Sequence, residues 1–229
     1  MKIIKDIKSN IDREEVLRYQ GYSKKRVKNP NQNILQITEE EINRGYNLFK
    51  PQGIYSLIKI TCFTPKGRIN LENELAFRFP QSIINQLKGA SHLLIGVVTI
   101  GDFLEKKVSE LFSKGEYPRA LALDAVGTVA VEDFSRKVRK LARQEVKEQD
   151  FKTSRHFSPG YGGWEVSQQE IIFKSILTDD IGVRLTEGCM MLPQKSLSWV
   201  IGAGKEVIVT SEEDNNCKDC QSKSCNYRL

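Results

Sequence analysis

Histidine and long apolar runs are both scarce in this sequence. Only two of the 229 residues are histidines, His92 and His156, which argues against a histidine-rich metal centre. No stretch approaches the 18 or more consecutive apolar residues of a membrane-spanning helix. The first residues, Met-Lys-Ile-Ile-Lys-Asp-Ile, lack the apolar core of a signal peptide. We therefore expect a cytoplasmic protein without a membrane segment.

Several familiar functional signatures are also missing. The sequence has no Walker motif and no Gly-x-Gly-x-x-Gly phosphate loop, and Ser158 and Ser196 lack the His/Asp signature of a nucleophilic serine. The net charge of +6, from 35 basic and 29 acidic residues, makes nucleic-acid binding one alternative. Without an RNA-binding or helix-turn-helix signal, solvated basic faces explain the charge more simply. We predict no nucleic-acid partner; a protein with an acidic surface would suit this charge.

The pattern of apolar residues predicts both strands and helices. Residues 54–64 and 68–71 flank a Pro-Lys-Gly turn and predict a hairpin, and the continuously apolar stretch 91–100 predicts a buried strand. Amphipathic patterns predict helices at 102–114 and 119–148. A mixed order of this kind indicates an α+β fold, with a mainly antiparallel twisted sheet flanked by helices in a single domain.

Shorter patterns complete the predicted order of elements. Asp12 is a candidate N-cap for a helix over 13–19, and a Thr-Glu-Glu-Glu capping box at 38–41 predicts a helix that continues to about residue 50. On the long helix, Asp124 is expected to be buried and Glu132 to lie at the edge. The remaining predicted elements are a strand near residues 3–7, helices at 80–88 and 168–177, and strands at 183–186, 196–203 and 207–210.

Two motifs carry the functional signal. Residues 155–164 read Arg-His-Phe-Ser-Pro-Gly-Tyr-Gly-Gly-Trp, and residues 182–198 read Gly-Val-Arg-Leu-Thr-Glu-Gly-Cys-Met-Met-Leu-Pro-Gln-Lys-Ser-Leu-Ser. Proline fixes one φ angle and the glycines allow angles that other residues avoid, so backbone groups of such a loop can approach a ligand closely. The aromatic rings offer flat faces to a purine or a cation.

In this order, the two motifs resemble the activation domain of vitamin B12-dependent methionine synthase. The resemblance implies a free-standing activation subunit of a cobalamin-dependent methyltransferase system in methionine biosynthesis. It implies binding of S-adenosylmethionine, which supplies the methyl group for reductive methylation of cob(II)alamin. The expected partners are a cobalamin-binding methionine synthase or other corrinoid protein, which carries the cobalamin, and a flavodoxin-like or other electron donor.

The resemblance also implies which residues bind the ligand. They come from the loop, with a glutamate from the preceding long helix and an arginine just before Pro-Gly-Tyr. The family pattern is Arg-x-x-Pro-Gly-Tyr, but here His156 stands at that arginine's place and the arginine is one residue earlier. The implied ligand-binding residues are Glu132, Arg155, Ser158, Pro159, Gly160, Tyr161 and Gly162.

A cysteine-bearing segment at residues 211–229 follows the predicted domain of residues 1–210, which divides into an N-terminal part, 1–90, and an S-adenosylmethionine-binding part, 91–210. Cys217, Cys220 and Cys225 have a spacing that brings three thiolates to one zinc ion or iron–sulfur cluster. A redox dithiol and a disordered tail remain alternatives. The segment also supports a second hypothesis, a corrinoid-protein docking or electron-transfer module that does not bind S-adenosylmethionine.

Overall fold

A computed structural model describes residues 1–5, 7–22, 29–65 and 67–209. Its helices are α1 (Arg13–Tyr19), α2 (Gln32–Tyr46), α3 (Gln81–Leu87), α4 (Phe103–Ser113), α5 (Tyr117–Lys147) and α6 (Gln169–Ser175). Its strands are β1 (Lys2–Lys5), β2 (Gln52–Phe63), β3 (Arg68–Leu71), β4 (Ala76–Arg78), β5 (His92–Thr99), β6 (Lys152–Phe157), β7 (Arg184–Leu185), β8 (Met191–Leu192) and β9 (Ser196–Gly204). None of the helices described is long and apolar enough to cross a membrane.

One seven-stranded sheet organises the fold. The strand order is β4-β3-β2-β5-β9-β6, with β1 paired to the first half of β2. All of these pairs are antiparallel, and β7 pairs with β8 in a separate ribbon. The predicted α+β fold with a mainly antiparallel sheet is confirmed, as is the hairpin of β2 and β3.

Strand β5 lies at the centre of the sheet and is apolar on both faces. Leu93, Ile95 and Val97 belong to the core on one face, with residues of α3 and α6. Leu94 and Val98 belong to the core on the other face, with residues of α4 and α5. Burial on both faces explains why the strand is continuously apolar and does not alternate with polar residues.

Helix α5 covers the second face of the sheet. Phe134 and Val138 pack on the sheet side, and the absence of a side chain at Gly127 lets Leu104 and Lys195 approach the helix. The buried acid of this helix is Asp133, whereas Asp124, predicted to be buried, is half-exposed and pairs with Lys195. Burial tends to raise the pKa of Asp133, but Lys137, the Asn10 N–H and Arg136 together hold it below its ordinary value.

The predicted helix from residue 38 to about 50 is wrong in both bounds. Helix α2 begins at Gln32, where the side chain of Asn31 accepts the N–H of Ile34, and ends at Tyr46. Thr38 lies inside the helix, and its hydroxyl donates to the carbonyl of Ile34. A threonine followed by acidic residues is therefore no capping box here, because a better N-cap stands seven residues earlier.

Four strand assignments differ between the prediction and the structure. Residues 207–209 form no strand, although a strand was predicted over 207–210, and residue 210 lies outside the described ranges. Strands β4, β6 and β8 were not predicted. The sequence of β6, Lys-Thr-Ser-Arg-His-Phe, does not predict a strand because it is mostly polar and does not alternate between apolar and polar residues. The strand lies at the edge of the sheet and pairs only with β9.

We expect Gly96→Ala to lower the free energy of unfolding by about 1–3 kcal/mol, because overpacking forces a buried neighbour to move. A Cβ at this position would lie 2.3 Å from the nearest ring atom of Trp199, which is buried. Urea denaturation measures the effect. Gly188→Ala is the matched control, because its Cβ would meet only the Thr186 hydroxyl, at 3.9 Å. Equal stability of the two variants would contradict the packing argument.

Candidate ligand-binding site

The glycine loop begins where β6 leaves the sheet edge. The Ser158 hydroxyl donates to the carbonyl of Ser198 in β9, at 2.7 Å. The Ser198 hydroxyl in turn donates to the side-chain oxygen of Gln169 at the start of α6, also at 2.7 Å. Pro159 is buried. This chain of bonds ties the start of the loop to the second sequence motif, in which Ser198 is the last residue.

Trp164 anchors the other end of the loop. Its indole is 2% exposed and packs on Phe79 and Phe77, with ring centroids 4.5 and 5.8 Å away. Its Nε1–H donates to the carbonyl of Arg78 in β4, at 2.9 Å. The backbone closes the loop between these anchors, because the Gly160 N–H donates to the carbonyl of Trp164 at 2.7 Å. The loop is thus held at both ends by different parts of the sheet.

The tip of the loop is open. Gly160, Gly162 and Gly163 all have left-handed φ angles, and a Cβ on any of them would meet nothing within 4 Å. These glycines are therefore needed for backbone conformation and not for close packing within the protein. The Tyr161 side chain is 68% exposed. Among the described residues, the N–H groups of Gly162 and Gly163 have no hydrogen-bond acceptor, so backbone donors and an aromatic face are open to a ligand.

Glu132, the predicted glutamate of the site, lies on helix α5. Glu132 is exposed, one turn after Thr128, whose hydroxyl accepts from Lys195 at 2.9 Å. The pKa of the Tyr19 phenol in α1 is raised. The largest cause is burial, and the second is the negative charge of Glu132. Glu132 therefore lies on an exposed part of α5, near Tyr19 of α1.

Arg155 and His156 lie on β6, just before the loop. His156 pairs with Ile201 of β9, and the strand register shifts between Thr153 and His156. Such a shift is a β-bulge, with one extra residue in β6. The guanidinium of Arg155 lies over the ring of Phe157, 5.3 Å from its centroid. Both side chains are half-buried, so both remain candidates for the arginine role.

Three residues close to this region were not singled out from the sequence. Arg143 of α5 donates to the carbonyl of Ser154 in β6, at 3.2 Å, which fastens the helix to the edge strand. Lys195 forms an ion pair with Asp124 at 2.9 Å and is only 14% exposed in its side chain. Gln169 is buried. Arg143 and Gln169 lie outside both motifs and Lys195 lies inside the second, but each acts through a contact with another element that the local sequence does not reveal.

The three cysteines of the predicted metal site, Cys217, Cys220 and Cys225, lie outside the described residues. Within the ranges that the structure covers, no cluster of three or more His, Cys, Asp or Glu side chains could hold a metal ion. The two thiols described, Cys62 and Cys189, are free. Burial and the nearby Glu170 raise the pKa of Cys189. A raised pKa favours the unreactive thiol over the thiolate that would bind a metal.

Comparison with solved structures identifies the architecture. One match is a structure described as the MetH reactivation domain bound to AdoHcy, with a TM-score of 0.61 over 92% of this chain and 80% of that chain. The chain has the fold of that domain. Sequence identity is 13%, so the likeness concerns the fold alone. No protein-family model matches the sequence, and no curated protein matches it either.

We expect Trp164→Phe to lower the free energy of unfolding by about 1 kcal/mol, because the Arg78 carbonyl loses its partner while most of the ring packing is kept. Urea denaturation of the two proteins gives the difference. Val166→Ala is the control, because Val166 is exposed nearby. If Trp164→Phe is as stable as the unaltered protein, the indole bond does not hold the loop in solution.

Proposed function

We propose that this protein is an S-adenosylmethionine-binding activation subunit. In this role it supports reductive methylation of cob(II)alamin in a B12-dependent methionine synthase or a related corrinoid protein, in the cytoplasm. The observation that carries the proposal is the glycine loop, anchored at Ser158 and Trp164, in a chain with the fold of a domain that was solved with AdoHcy bound. AdoHcy is what remains when S-adenosylmethionine has given up its methyl group.

The residues at hand suit the groups of this ligand. The exposed carboxylate of Glu132 is a partner for the ammonium of the methionine moiety, and a guanidinium fork is a partner for its carboxylate. We assign the second role to Arg155, because arginine stays charged and can bind both carboxylate oxygens at once. The open N–H groups of the loop and the exposed Tyr161 ring suit the polar edge and the flat face of the adenosine.

The protein's own contribution to the reaction is positioning. S-Adenosylmethionine, when bound, supplies a sulfonium methyl group for a cobalamin that the partner carries, and a flavodoxin-like or other donor supplies the electron. Nothing in this account requires a proton shuttle from the chain. Glu132 and Arg155 hold the amino-acid end, and the anchored loop fixes the adenosine, so the methyl group is held in one orientation.

We expect Glu132→Gln to weaken S-adenosylmethionine binding by about 1–3 kcal/mol, because the ammonium loses a charged hydrogen-bond acceptor. Isothermal titration calorimetry with the full chain measures this. The matched control is Glu148→Gln, since Glu148 is an exposed acid at the end of the same helix. In the same titration, Arg155→Ala should cost more affinity than His156→Ala.

Three results would argue against these assignments. An unchanged affinity of Glu132→Gln removes Glu132 from the site but leaves the ligand in place. A larger loss for His156→Ala, with affinity that falls across the pH range in which imidazoles lose their proton, gives His156 the arginine role. The absence of binding at millimolar S-adenosylmethionine would rule out the whole pocket.

A second candidate function rests on the histidine at the family arginine's place and on the cysteine segment. In this alternative the protein docks onto a corrinoid protein and passes electrons through a metal at Cys217, Cys220 and Cys225, without binding S-adenosylmethionine. The two functions differ in ligand affinity and in metal content, so one preparation tests both.

We expect anaerobically purified protein to contain stoichiometric zinc, or iron with sulfide, because three closely spaced thiolates bind soft metals tightly. Truncation after residue 210 should remove the metal and leave S-adenosylmethionine binding intact. Metal analysis and calorimetry of both proteins provide the comparison. Metal-free protein with three freely reactive thiols would exclude the site, and a truncated chain that fails to fold would make the segment structural.

A further inference from the structure

Two arginines face each other on the neighbouring strands β3 and β4, beside the Trp164 end of the glycine loop. Arg68 of β3 is the direct cross-strand partner of Arg78 of β4. Side chains of directly opposed residues lie on the same face of an antiparallel sheet. Both residues are exposed, and together with Thr64 and Pro65 they line a cleft of about 550 Å³.

The hydrogen-bond pattern brings these two side chains as close as an antiparallel pair allows. The Phe79 N–H donates to the carbonyl of Gly67. The Arg78 N–H instead donates to the side chain of Gln168, at 2.8 Å, and the Arg78 carbonyl accepts from Trp164. Arg68 and Arg78 are therefore a non-hydrogen-bonded pair, the kind in which Cα atoms are about 4.5 Å apart and side chains are closest.

Within the described part of the chain, no carboxylate neutralises this pair. The Arg68 Nε–H donates to the side-chain oxygen of Asn70, at 3.0 Å, which fixes the guanidinium without balancing its charge. The Arg78 guanidinium has no ion-pair partner among the described residues. Like charges directly opposed on a sheet are destabilising. A protein that keeps such a pair in a cleft gains stability when an anion occupies it.

We propose that the cleft lined by Arg68 and Arg78 binds the phosphate or diphosphate group of a small molecule. Two guanidinium forks side by side match the several oxygens and the double charge of such a group, and the Thr64 hydroxyl adds a neutral donor at the rim. The volume of about 550 Å³ is large enough for such a group. A flat basic surface would instead have favoured an acidic protein.

The test is a calorimetric titration of the full chain with inorganic pyrophosphate, with inorganic phosphate and adenosine diphosphate as further probes. We expect saturable binding of pyrophosphate that is weakened about tenfold or more in Arg68→Gln and in Arg78→Gln, since each change removes charged hydrogen bonds. Binding by Lys88→Gln should be unchanged; this control removes the same charge from the exposed end of α3. Glu132→Gln should also bind pyrophosphate normally, which separates this site from the proposed S-adenosylmethionine pocket.

Thermal unfolding supplies a second readout. Without ligand, Arg78→Gln should melt at the same or a higher temperature than the unaltered protein, because the repulsion is relieved. Pyrophosphate should raise the melting temperature of the unaltered protein more than that of Arg78→Gln.

The proposal is overturned if pyrophosphate does not bind at millimolar concentration, or if Lys88→Gln loses as much affinity as the arginine variants. It is also overturned if the arginine variants lose only their retention on an immobilised acidic protein, because the surface is then a protein-docking site. A lower melting temperature for ligand-free Arg78→Gln would mean that the pair is structural.

Discussion

The fold depends on strand β5 being buried on both of its faces. β5 pairs along its whole length with β2 on one side and with β9 on the other. Its alternate side chains enter two separate cores, one under α5 and one under α3 and α6. Gly96 completes this arrangement, because the Trp199 ring occupies the space that a side chain would need. The candidate loop follows β6, which is joined to β5 through β9. Helix α5, which carries Glu132, packs on one face of β5.

Elements with strong local signals could be predicted from sequence. The apolar run of β5, the amphipathic α5 and the Asp12 cap of α1 all lie where their patterns place them, and the Asp12 carboxylate accepts the N–H of Glu14. The errors have two causes: a better local signal nearby, and a contact distant in sequence. Helix α2 passes through the apparent capping box because Asn31 caps it earlier. β6 is a strand because β9 offers it an edge, which its own polar sequence does not reveal.

The candidate site shows the same division. The glycine-rich loop was recognisable because proline and closely spaced glycines restrict or extend the backbone in a way that can be read locally. Its supports were not recognisable. The bond from Trp164 to Arg78 spans 86 residues, that from Ser158 to Ser198 spans 40, and that from Ser198 to Gln169 spans 29. The ligand roles of Glu132 and Arg155 remain predictions, as do the metal at the cysteines and the division of the chain at residues 90 and 210.

The contacts around Arg78 have a consequence for association between molecules. β4 has three residues and lies at the edge of the sheet, where unpaired backbone groups offer a template to a strand of another chain. Here the outward N–H and carbonyl of Arg78 are already bonded, to Gln168 and to Trp164. The strand is also short and carries a positive charge, both of which are known safeguards against edge-to-edge pairing. The segment that holds the candidate binding loop therefore also covers the end of this edge strand and limits its pairing with another chain.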